Sequence, residues 1–305
     1  MPAIVEVQHL SKKFGTFTAL DDISFSVNEG DVYGFLGQNG AGKSTTIRCM
    51  MSLIKPGSGS IRIFGLDLST SRKKILSQTG AIIERPDMYK YLSAFENLSI
   101  FARMSGIKPS REKLLQMLTF VGLRNRESDK VKTYSQGMKQ RLGIAISLIH
   151  DPRLVIFDEP ANGLDPQGIS DIRHLILRLS REQGKTVILS SHLLSEIEMM
   201  ANRMIIIDKG KKIVEGEVAK LLDPARSLVK LQTPETERAH SFITGKGIRI
   251  SESINGEYLQ FELNRNDIPA LVGGLCQEGI PIRDIHAMHS LEHYFLSLTN
   301  PAAHG

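Results

Sequence analysis

A glycine-rich loop near the N-terminus has the residue types and spacing of a phosphate-binding site. It follows the apolar run 32–36 and opens a segment of helical character. Glycines in such a loop let successive backbone N–H groups and the N-terminus of the next helix point at negative charge. We expect Lys43 to reach the outer phosphates of a nucleoside triphosphate and Ser44 to ligate Mg²⁺. The predicted nucleotide-binding residues of this loop are Gly37, Gln38, Asn39, Gly40, Ala41, Gly42, Lys43, Ser44 and Thr45.

An acidic pair follows a second apolar run and could supply the carboxylates that this chemistry needs. Residues 154–157 read Leu-Val-Ile-Phe, the length and character of a buried parallel strand, and Asp158 and Glu159 come directly after it. Ligands of open α/β sheets bind at the carboxyl ends of the strands, so Asp158 is a candidate to hold Mg²⁺ together with Ser44. Glu159 is our candidate for polarising the attacking water. The alternative is that the pair simply begins a solvated loop, which is as common as a functional role for an isolated acidic pair after a strand.

Between these two motifs, a serine and a glycine stand two positions apart at the start of a predicted helix. Residues 133–142 read Thr-Tyr-Ser-Gln-Gly-Met-Lys-Gln-Arg-Leu, which places the pair at Ser135 and Gly137. Small residues at a helix N-terminus can approach phosphate closely and offer N–H donors. This segment resembles the signature of the ATP-binding-cassette (ABC) family. The resemblance implies that Ser135 and Gly137 complete the nucleotide site of a second cassette rather than that of their own chain.

The resemblance extends to three further positions. Residues 162–166 read Asn-Gly-Leu-Asp-Pro and are similar to the family's dimer-contact loop, which implies a nucleotide-site role for Asp165. Residues 189–192 are similar to the strand that ends in the family's switch histidine, so His192 would lie beside the γ-phosphate. The alternative for His192 is a polar residue that caps the next helix. Phe14 matches the aromatic residue that stacks on adenine, although an isolated phenylalanine is usually a core residue.

Two positions depart from the family's pattern. Gln38 stands where proline is frequent, and we expect little consequence because this position contributes mainly backbone. Glu84 ends the strand-like run 80–83, where the family usually has a glutamine that contacts metal and water. We assign Glu84 to the nucleotide and Mg²⁺ site, where its negative charge would alter metal affinity and pH sensitivity. The alternative is that Glu84 turns outward and contacts only a partner subunit.

These motifs require a sheet whose strands end at one edge. Apolar residues alternate over residues 1–30, which predicts antiparallel strands, whereas 31–84 and 151–215 carry buried parallel strands. The fold class we predict is α/β. With the resemblance, it is a P-loop NTPase (RecA-like) core with an antiparallel β subdomain and a helical insert, forming a nucleotide-binding domain over residues 1–222, plus a small α+β C-terminal domain.

Helical spacing over residues 92–105 and 111–121 predicts the helical insert, which we place at about 86–150. In the family, the surface at 84–97 docks onto a membrane-spanning partner. The large residues available there are Pro86, Met88, Tyr89, Tyr91 and Leu92. The alternative is that these residues pack the insert onto the sheet.

Residues 223–305 form the predicted C-terminal accessory α+β domain, after a linker marked by Pro224. The predicted elements are strands at 228–231 and 258–263 and a helix at 268–277. This domain resembles the small C-terminal extension of single-cassette exporter ATPases, and the resemblance includes a closing helix at 290–298. His286, His289 and His293 recur at helical spacing, and we interpret them as a surface helix start rather than a metal site.

The composition limits the class of protein. The 305 residues, 41% of them hydrophobic, suffice for one large α/β domain and a smaller one. Cys49 and Cys276 lie far apart and indicate neither a disulfide framework nor a thiolate metal site. No run reaches the roughly 18 to 20 consecutive apolar residues of a membrane span, and the N-terminus has no signal pattern. The net charge of +5 is dispersed without interleaved aromatic residues, which argues against a nucleic-acid partner.

The motifs and the resemblance together predict the ATPase subunit of an ABC-type membrane exporter, similar to the bacitracin and multidrug export type, which uses ATP and Mg²⁺. Its predicted catalytic residues are Lys43, Glu159 and His192. The resemblance implies two cassettes, identical or different, that close head to tail over ATP, and an integral membrane permease as partner. The chain would lie peripherally at the cytoplasmic face of the cell membrane. The alternatives are a soluble ABC ATPase acting on nucleic acid or ribosomes, and a binding-only regulatory cassette.

Overall fold

The computed structural model describes residues 3–84, 87–222, 227–254 and 258–289. The chain divides into two compact units, Met1–Gly216 and Glu217–Gly305. The predicted domain boundary after residue 222 adjoins a stretch outside the described residues, and it stays a prediction. Four other predicted features also lie outside the described residues: Pro86 of the docking surface, the linker residue Pro224, the closing helix at 290–298 and His293.

Two sheets organise the first unit. Its strands are β1 (Ala3–Phe14), β2 (Phe17–Asn28), β3 (Val32–Leu36), β4 (Ser58–Ile63), β5 (Leu66–Asp67), β6 (Thr79–Ile82), β7 (Leu154–Phe157), β8 (Thr186–Ser191), β9 (Arg203–Asp208) and β10 (Lys211–Glu217). One sheet has the strand order β2-β1-β4-β5, and the other, the core sheet, has the order β10-β9-β3-β8-β7-β6.

The core sheet brings the carboxyl ends of its parallel strands to one edge. Strand β3 pairs in parallel with β8 and β9, β8 pairs with β7, and β7 pairs with β6. Every residue of β3, β7 and β8 is buried, as expected for parallel strands that are covered on both faces. The segments that follow β3, β8, β7 and β6 therefore leave the sheet side by side.

The other sheet is antiparallel and begins with the predicted N-terminal strands. Strand β1 pairs with β2 on one side and with β4 on the other. Ile4, Val5, Val7 and Leu10 are buried in the hydrophobic core, while the intervening positions 6, 8 and 9 of β1 are partly or fully exposed. The predicted antiparallel strands of residues 1–30 are thus confirmed, and a later segment adds β4 and β5 to them.

Five of the seven helices that the structure describes in the first unit begin at a side-chain cap. The helices are α1 (Lys43–Met50), α2 (Leu68–Leu76), α3 (Ala94–Met104), α4 (Arg111–Phe120), α5 (Gln136–Leu148), α6 (Pro166–Arg181) and α7 (Leu194–Met200). Ser93 and Glu96 form a reciprocal capping box at the start of α3, and the Ser110 hydroxyl accepts from the backbone N–H of Lys113 at the start of α4. The two predicted insert helices are confirmed as α3 and α4. Within the described part of the chain, no helix is long and apolar enough to cross a membrane.

The second unit is a four-stranded antiparallel sheet with its own hydrophobic core. Its elements are α8 (Val218–Leu221), β11 (Ser227–Gln232), α9 (Thr236–Gly245), β12 (Ile250–Ile254), β13 (Tyr258–Leu263), α10 (Ile268–Gln277) and β14 (Asp284–His289), with the strand order β12-β13-β11-β14. The predicted helix at 268–277 is confirmed. The helical interpretation of His286 and His289 is wrong, because both lie in β14, whose backbone pairs with β11 at Lys230 and Ser227.

Candidate functional site

Two glycines of the loop between β3 and α1 occupy positions where a side chain would be strained or would clash. Gly42 precedes α1 with φ of +112°, and an added Cβ would lie 2.8 Å from Leu20 Cδ2. An added Cβ at Gly37 would lie 2.4 Å from the carbonyl oxygen of Ile207. The loop is therefore packed tightly against its neighbours, and its shape is set by the backbone itself.

Lys43, the first residue of α1, holds a positive charge inside this loop. Its side chain is 5% exposed, and its Nζ donates to the carbonyl oxygens of Gly37 at 2.6 Å and Gln38 at 3.2 Å. The same Nζ lies 3.1 Å from Glu159 Oε1. The ammonium group is thus centred between the loop backbone and the acid that follows β7, which suits a site for phosphate oxygens.

Ser190, near the end of β8, joins the two acidic residues that follow β7. Its Oγ donates to Asp158 Oδ1 at 2.6 Å, and the backbone N–H of Glu159 donates to the same Oγ at 2.8 Å. Asp158 is 2% exposed. Ser190 was not predicted as a site residue from the sequence, and its only local signal is its place one residue before the end of a strand that neighbours β7.

Glu159 and His192 form a contact at the same edge. His192 follows β8, and its Nδ1 lies 2.8 Å from Glu159 Oε2, while the other carboxylate oxygen faces Lys43. Glu159 has a left-handed backbone with φ of +51°, which is uncommon for a residue with a Cβ. Both carboxylate oxygens are therefore oriented by basic groups, as a general base that must face one direction requires.

The residues available for a divalent cation are oxygen donors on two neighbouring elements. Ser44 is half-buried in the first turn of α1, and Asp158 is buried at the carboxyl end of β7. Hydroxyl and carboxylate oxygens suit Mg²⁺, which usually binds through one or two carboxylates and substrate phosphates. One Asp158 oxygen receives the Ser190 hydrogen bond, and the donor set fits Mg²⁺.

Glu84 forms an ion pair with a residue of the same chain. It lies two residues beyond β6 with φ of +64°, and its carboxylate is paired with the guanidinium group of Arg48 in the last turn of α1. Glu84 was predicted as a site residue from the sequence but Arg48 was not, because no local pattern links residues that are 36 positions apart.

A second surface is built by Ser135, Gly137 and Asp165. Ser135 caps α5 by accepting from the backbone N–H of Met138 at 3.3 Å, and Asp165 caps α6 by accepting from the N–H of Gly168 at 2.8 Å. A Cβ added to Gly137 would meet no described atom within 4 Å, so this turn is open to a ligand. Ser135, Gly137 and Asp165 line one cavity of about 360 Å³, whose described lining residues do not include the phosphate loop.

Phe14, at the end of β1, is 49% exposed and pairs across the turn with Phe17 of β2. The ammonium group of Lys12 lies 5.2 Å from the centre of the Phe14 ring. An exposed ring with a cation over it can stack on a planar base. The interpretation of Phe14 as a core residue is therefore wrong.

The chain is similar to known proteins along almost its whole length. Residues 20–162 match the family described as ABC transporter. The chain is 41% identical over 98% of its length to YhcH, an uncharacterised ABC transporter ATP-binding protein of Bacillus subtilis (strain 168), covering 97% of that protein. It is 43% identical to the bacitracin transport ATP-binding protein BcrA of Bacillus licheniformis, covering 78% of each chain.

A solved structure repeats the cassette part of the fold. It is the dimeric ATP-binding cassette MJ0796 in a post-hydrolysis state bound to ADP and Pi, with a TM-score of 0.63 and 25% identity over 70% of this chain and 98% of that chain. The fold of the cassette part is thus shared with a solved ATP-binding cassette. The chain is a member of the ABC transporter family, and it is an ATP-binding, ATP-hydrolysing subunit of a transporter.

Proposed function

We propose that this ATPase drives export by closing head to tail with a second cassette, so that each ATP is held between the phosphate loop of one chain and the capped turn of α5 of the other. One observation carries the proposal. The phosphate loop and the turn formed by Ser135 and Gly137 are two separate phosphate-suited surfaces on one chain, and the turn is open. A second cassette, identical or different, would use both. The dimeric state of MJ0796 supports this arrangement.

The phosphate-binding roles follow from charge and backbone direction. The loop N–H groups and the Lys43 ammonium bind the phosphates, because they are the positive groups at this point of the sheet edge. Phe14 stacks on the adenine ring. Ser44 and Asp158 would hold Mg²⁺, which when bound neutralises charge on the phosphate oxygens.

The proposed catalytic roles belong to Glu159 and His192. The Glu159 carboxylate orients the attacking water and accepts its proton as the water oxygen bonds to the γ-phosphorus, while the bond from that phosphorus to the oxygen shared with the β-phosphate breaks and ADP leaves. His192 holds one oxygen of that carboxylate, and Lys43 faces the other, so the base keeps one direction during the reaction. This pair also argues against a binding-only regulatory cassette, because the groups needed for hydrolysis are present and in contact.

The proposed partner is an integral membrane permease, and its docking surface lies around the start of α3. Tyr89 is 52% exposed, Tyr91 is 79% exposed, and both precede α3. Asn97 of α3 braces this segment, since its side chain accepts from the Tyr89 N–H and donates to the Tyr89 carbonyl oxygen. A braced segment that displays two large rings suits a protein partner. A permease at this place would hold the ATPase at the cytoplasmic face of the membrane.

The test is nucleotide binding and hydrolysis by purified chain carrying Lys43→Ala, with Lys108→Ala as the matched control because Lys108 is exposed in the loop between α3 and α4. Equilibrium titration with a fluorescent ATP analogue should show loss of binding for Lys43→Ala and unchanged binding for Lys108→Ala. Gel filtration of the Glu159→Gln variant with ATP should show a dimer that Ser135→Arg abolishes. Equal ATP binding by Lys43→Ala and the parent chain would refute the nucleotide site, and an ATP-independent monomer would refute the head-to-tail pair.

A further inference from the structure

Helix α1 carries two cations, and each contacts an acid at the sheet edge. Lys43 in the first turn faces Glu159, and Arg48 in the last turn pairs with Glu84. The first contact belongs to the phosphate site described above. The second contact, between Arg48 and Glu84, has no part in the roles proposed so far.

The two acids occupy equivalent places on neighbouring strands. Strands β6 and β7 are paired in parallel with Ile82 opposite Phe157, and each acid lies two residues beyond these partners. Both acids have left-handed backbones, with φ of +64° at Glu84 and +51° at Glu159. This conformation is disfavoured for residues with a Cβ and persists where surrounding contacts enforce it. The Arg48 contact is one such constraint on Glu84.

Arg48 also connects Glu84 to the face of α1 that carries Ser44. Residues four apart lie on the same side of a helix, so Ser44 and Arg48 are neighbours on one face of α1. A carboxylate held by Arg48 is therefore held beside the helix face that bears the proposed Mg²⁺ ligand. The guanidinium group, which stays charged at all relevant pH values, cancels the charge of Glu84.

We propose that Arg48 is a positioning residue that neutralises Glu84 and fixes its carboxylate beside the phosphate-loop helix, so that an acid can stand at this place without repelling ATP. The inference rests on the proposed function, because it assigns the effect of the pair to the same nucleotide site. On this proposal, ATP binding depends on the positive charge of Arg48 only when residue 84 is an acid.

The consequence is a conditional effect on ATP affinity. The polyphosphate of ATP carries several negative charges, and an unpaired carboxylate near it is repulsive by an amount that salt screens. Because Arg48 and Glu84 are partly exposed, with side-chain exposures of 36% and 64%, we expect Arg48→Met to weaken ATP binding by about three- to tenfold. In the Glu84→Gln background, Arg48→Met should change ATP affinity by less than about twofold, because the acid that needs a cationic partner is no longer there.

The experiment is a double-mutant cycle on the full-length chain: Arg48→Met, Glu84→Gln and the double variant. The measurement is equilibrium binding of a fluorescent ATP analogue, at low and high salt, with and without Mg²⁺. ATP binding by the double variant should lie within about twofold of that of the Glu84→Gln variant, and the Arg48→Met defect should shrink at high salt. Arg48→Lys, which keeps the charge, should bind ATP more tightly than Arg48→Met.

Arg153→Met is the matched control, because Arg153 forms a similar exposed ion pair, 2.7 Å from the carboxylate of Glu29. Arg153 precedes β7 and therefore lies at the opposite end of that strand from the carboxyl edge. Arg153→Met should leave ATP affinity unchanged. The proposal is overturned if Arg48→Met binds ATP like the parent, or if Glu84→Gln does not suppress the Arg48→Met defect. Lys43→Ala separates this outcome from failure of the site itself. If Lys43→Ala abolishes binding while Arg48→Met has no effect, only the role of Arg48 fails.

Discussion

Replacement of Glu159 by glutamine should separate ATP binding from ATP hydrolysis. The substitution keeps the shape of the side chain and removes the group that can accept a proton from water. General-base catalysis contributes about 100- to 10,000-fold to a rate, so we expect kcat to fall by that range. Glu159 Oε1 also faces Lys43 Nζ at 3.1 Å in a pair whose side chains are 18% and 5% exposed.

That second contact predicts the direction of the change in ATP affinity. A neutral amide no longer competes with phosphate for the Lys43 ammonium. A net contact of about 1 kcal/mol corresponds to about fivefold in affinity, so ATP binding should be unchanged or tightened by up to that factor. A residue that only supported the fold would give the opposite pattern, with weaker binding and lower stability.

The assay combines phosphate release at saturating Mg·ATP with equilibrium binding of a fluorescent ATP analogue. Glu182→Gln is a matched control, since Glu182 is an exposed acid at the end of α6 that pairs with Arg178 at 3.3 Å. The control should keep normal turnover. Hydrolysis by Glu159→Gln within about tenfold of the parent, or ATP binding weakened in parallel with kcat, would refute the role of Glu159 as general base.

Three further predictions concern the residues that support the nucleotide-binding fold. Arg203→Met should lower the free energy of unfolding by about 2–4 kcal/mol in urea denaturation, because it removes the partner that lies 3.1 Å from the buried Asp31 carboxylate. Gly42→Ala should weaken ATP binding by more than about tenfold, since its Cβ would meet Leu20 Cδ2 at 2.8 Å with φ of +112°. Maleimide at neutral pH should label Cys276, which is exposed, and spare Cys49 until unfolding, because burial raises the pKa of the Cys49 thiol to about 11.

Each of these predictions has its own control. Asp31→Asn with Arg203→Met should recover part of the lost stability, and a loss below about 0.5 kcal/mol for Arg203→Met would contradict the importance of the pair. Gly184→Ala also adds a Cβ at positive φ, but no described atom lies within 4 Å of that Cβ, so ATP binding should persist. Equal ATP affinity for Gly42→Ala and the parent would show that the loop tolerates the added atom. Mass spectrometry that finds both cysteines modified at similar rates in the native chain would contradict the burial of Cys49.

Much of the sheet edge could be predicted from the sequence, because each piece carries its own local pattern. Apolar runs locate β3, β7 and β8, and the residue after each run must emerge at the carboxyl edge. The structure brings Lys43, Glu159 and His192 into contact there. Helix α10 could also be predicted from the sequence, since a polar turn precedes it and its own residues are mostly apolar.

Contacts between distant residues could not be predicted in the same way. Ser190 joins Asp158 and Glu159 across about 31 positions, and the interaction depends on which strand neighbours β7. The histidines of β14 show the related limit of spacing arguments. Residues three apart suit a helix, but they also occur in a strand, and the antiparallel pairing of β14 with β11 decides between the two.

The left-handed backbone at Glu84 and Glu159 explains why the charge arrangement around α1 is hidden in the sequence. Each conformation costs about 1–3 kcal/mol for a residue with a Cβ, and glycine would adopt it more easily. Glycine has no carboxylate, so the strain is tolerated where a carboxylate must turn back toward a cation of α1. The sheet therefore supplies two acids at neighbouring strand ends, and one helix supplies the cations that orient them. Sequence spacing can place the acids at that edge, but the three-dimensional fold determines which cation each one meets.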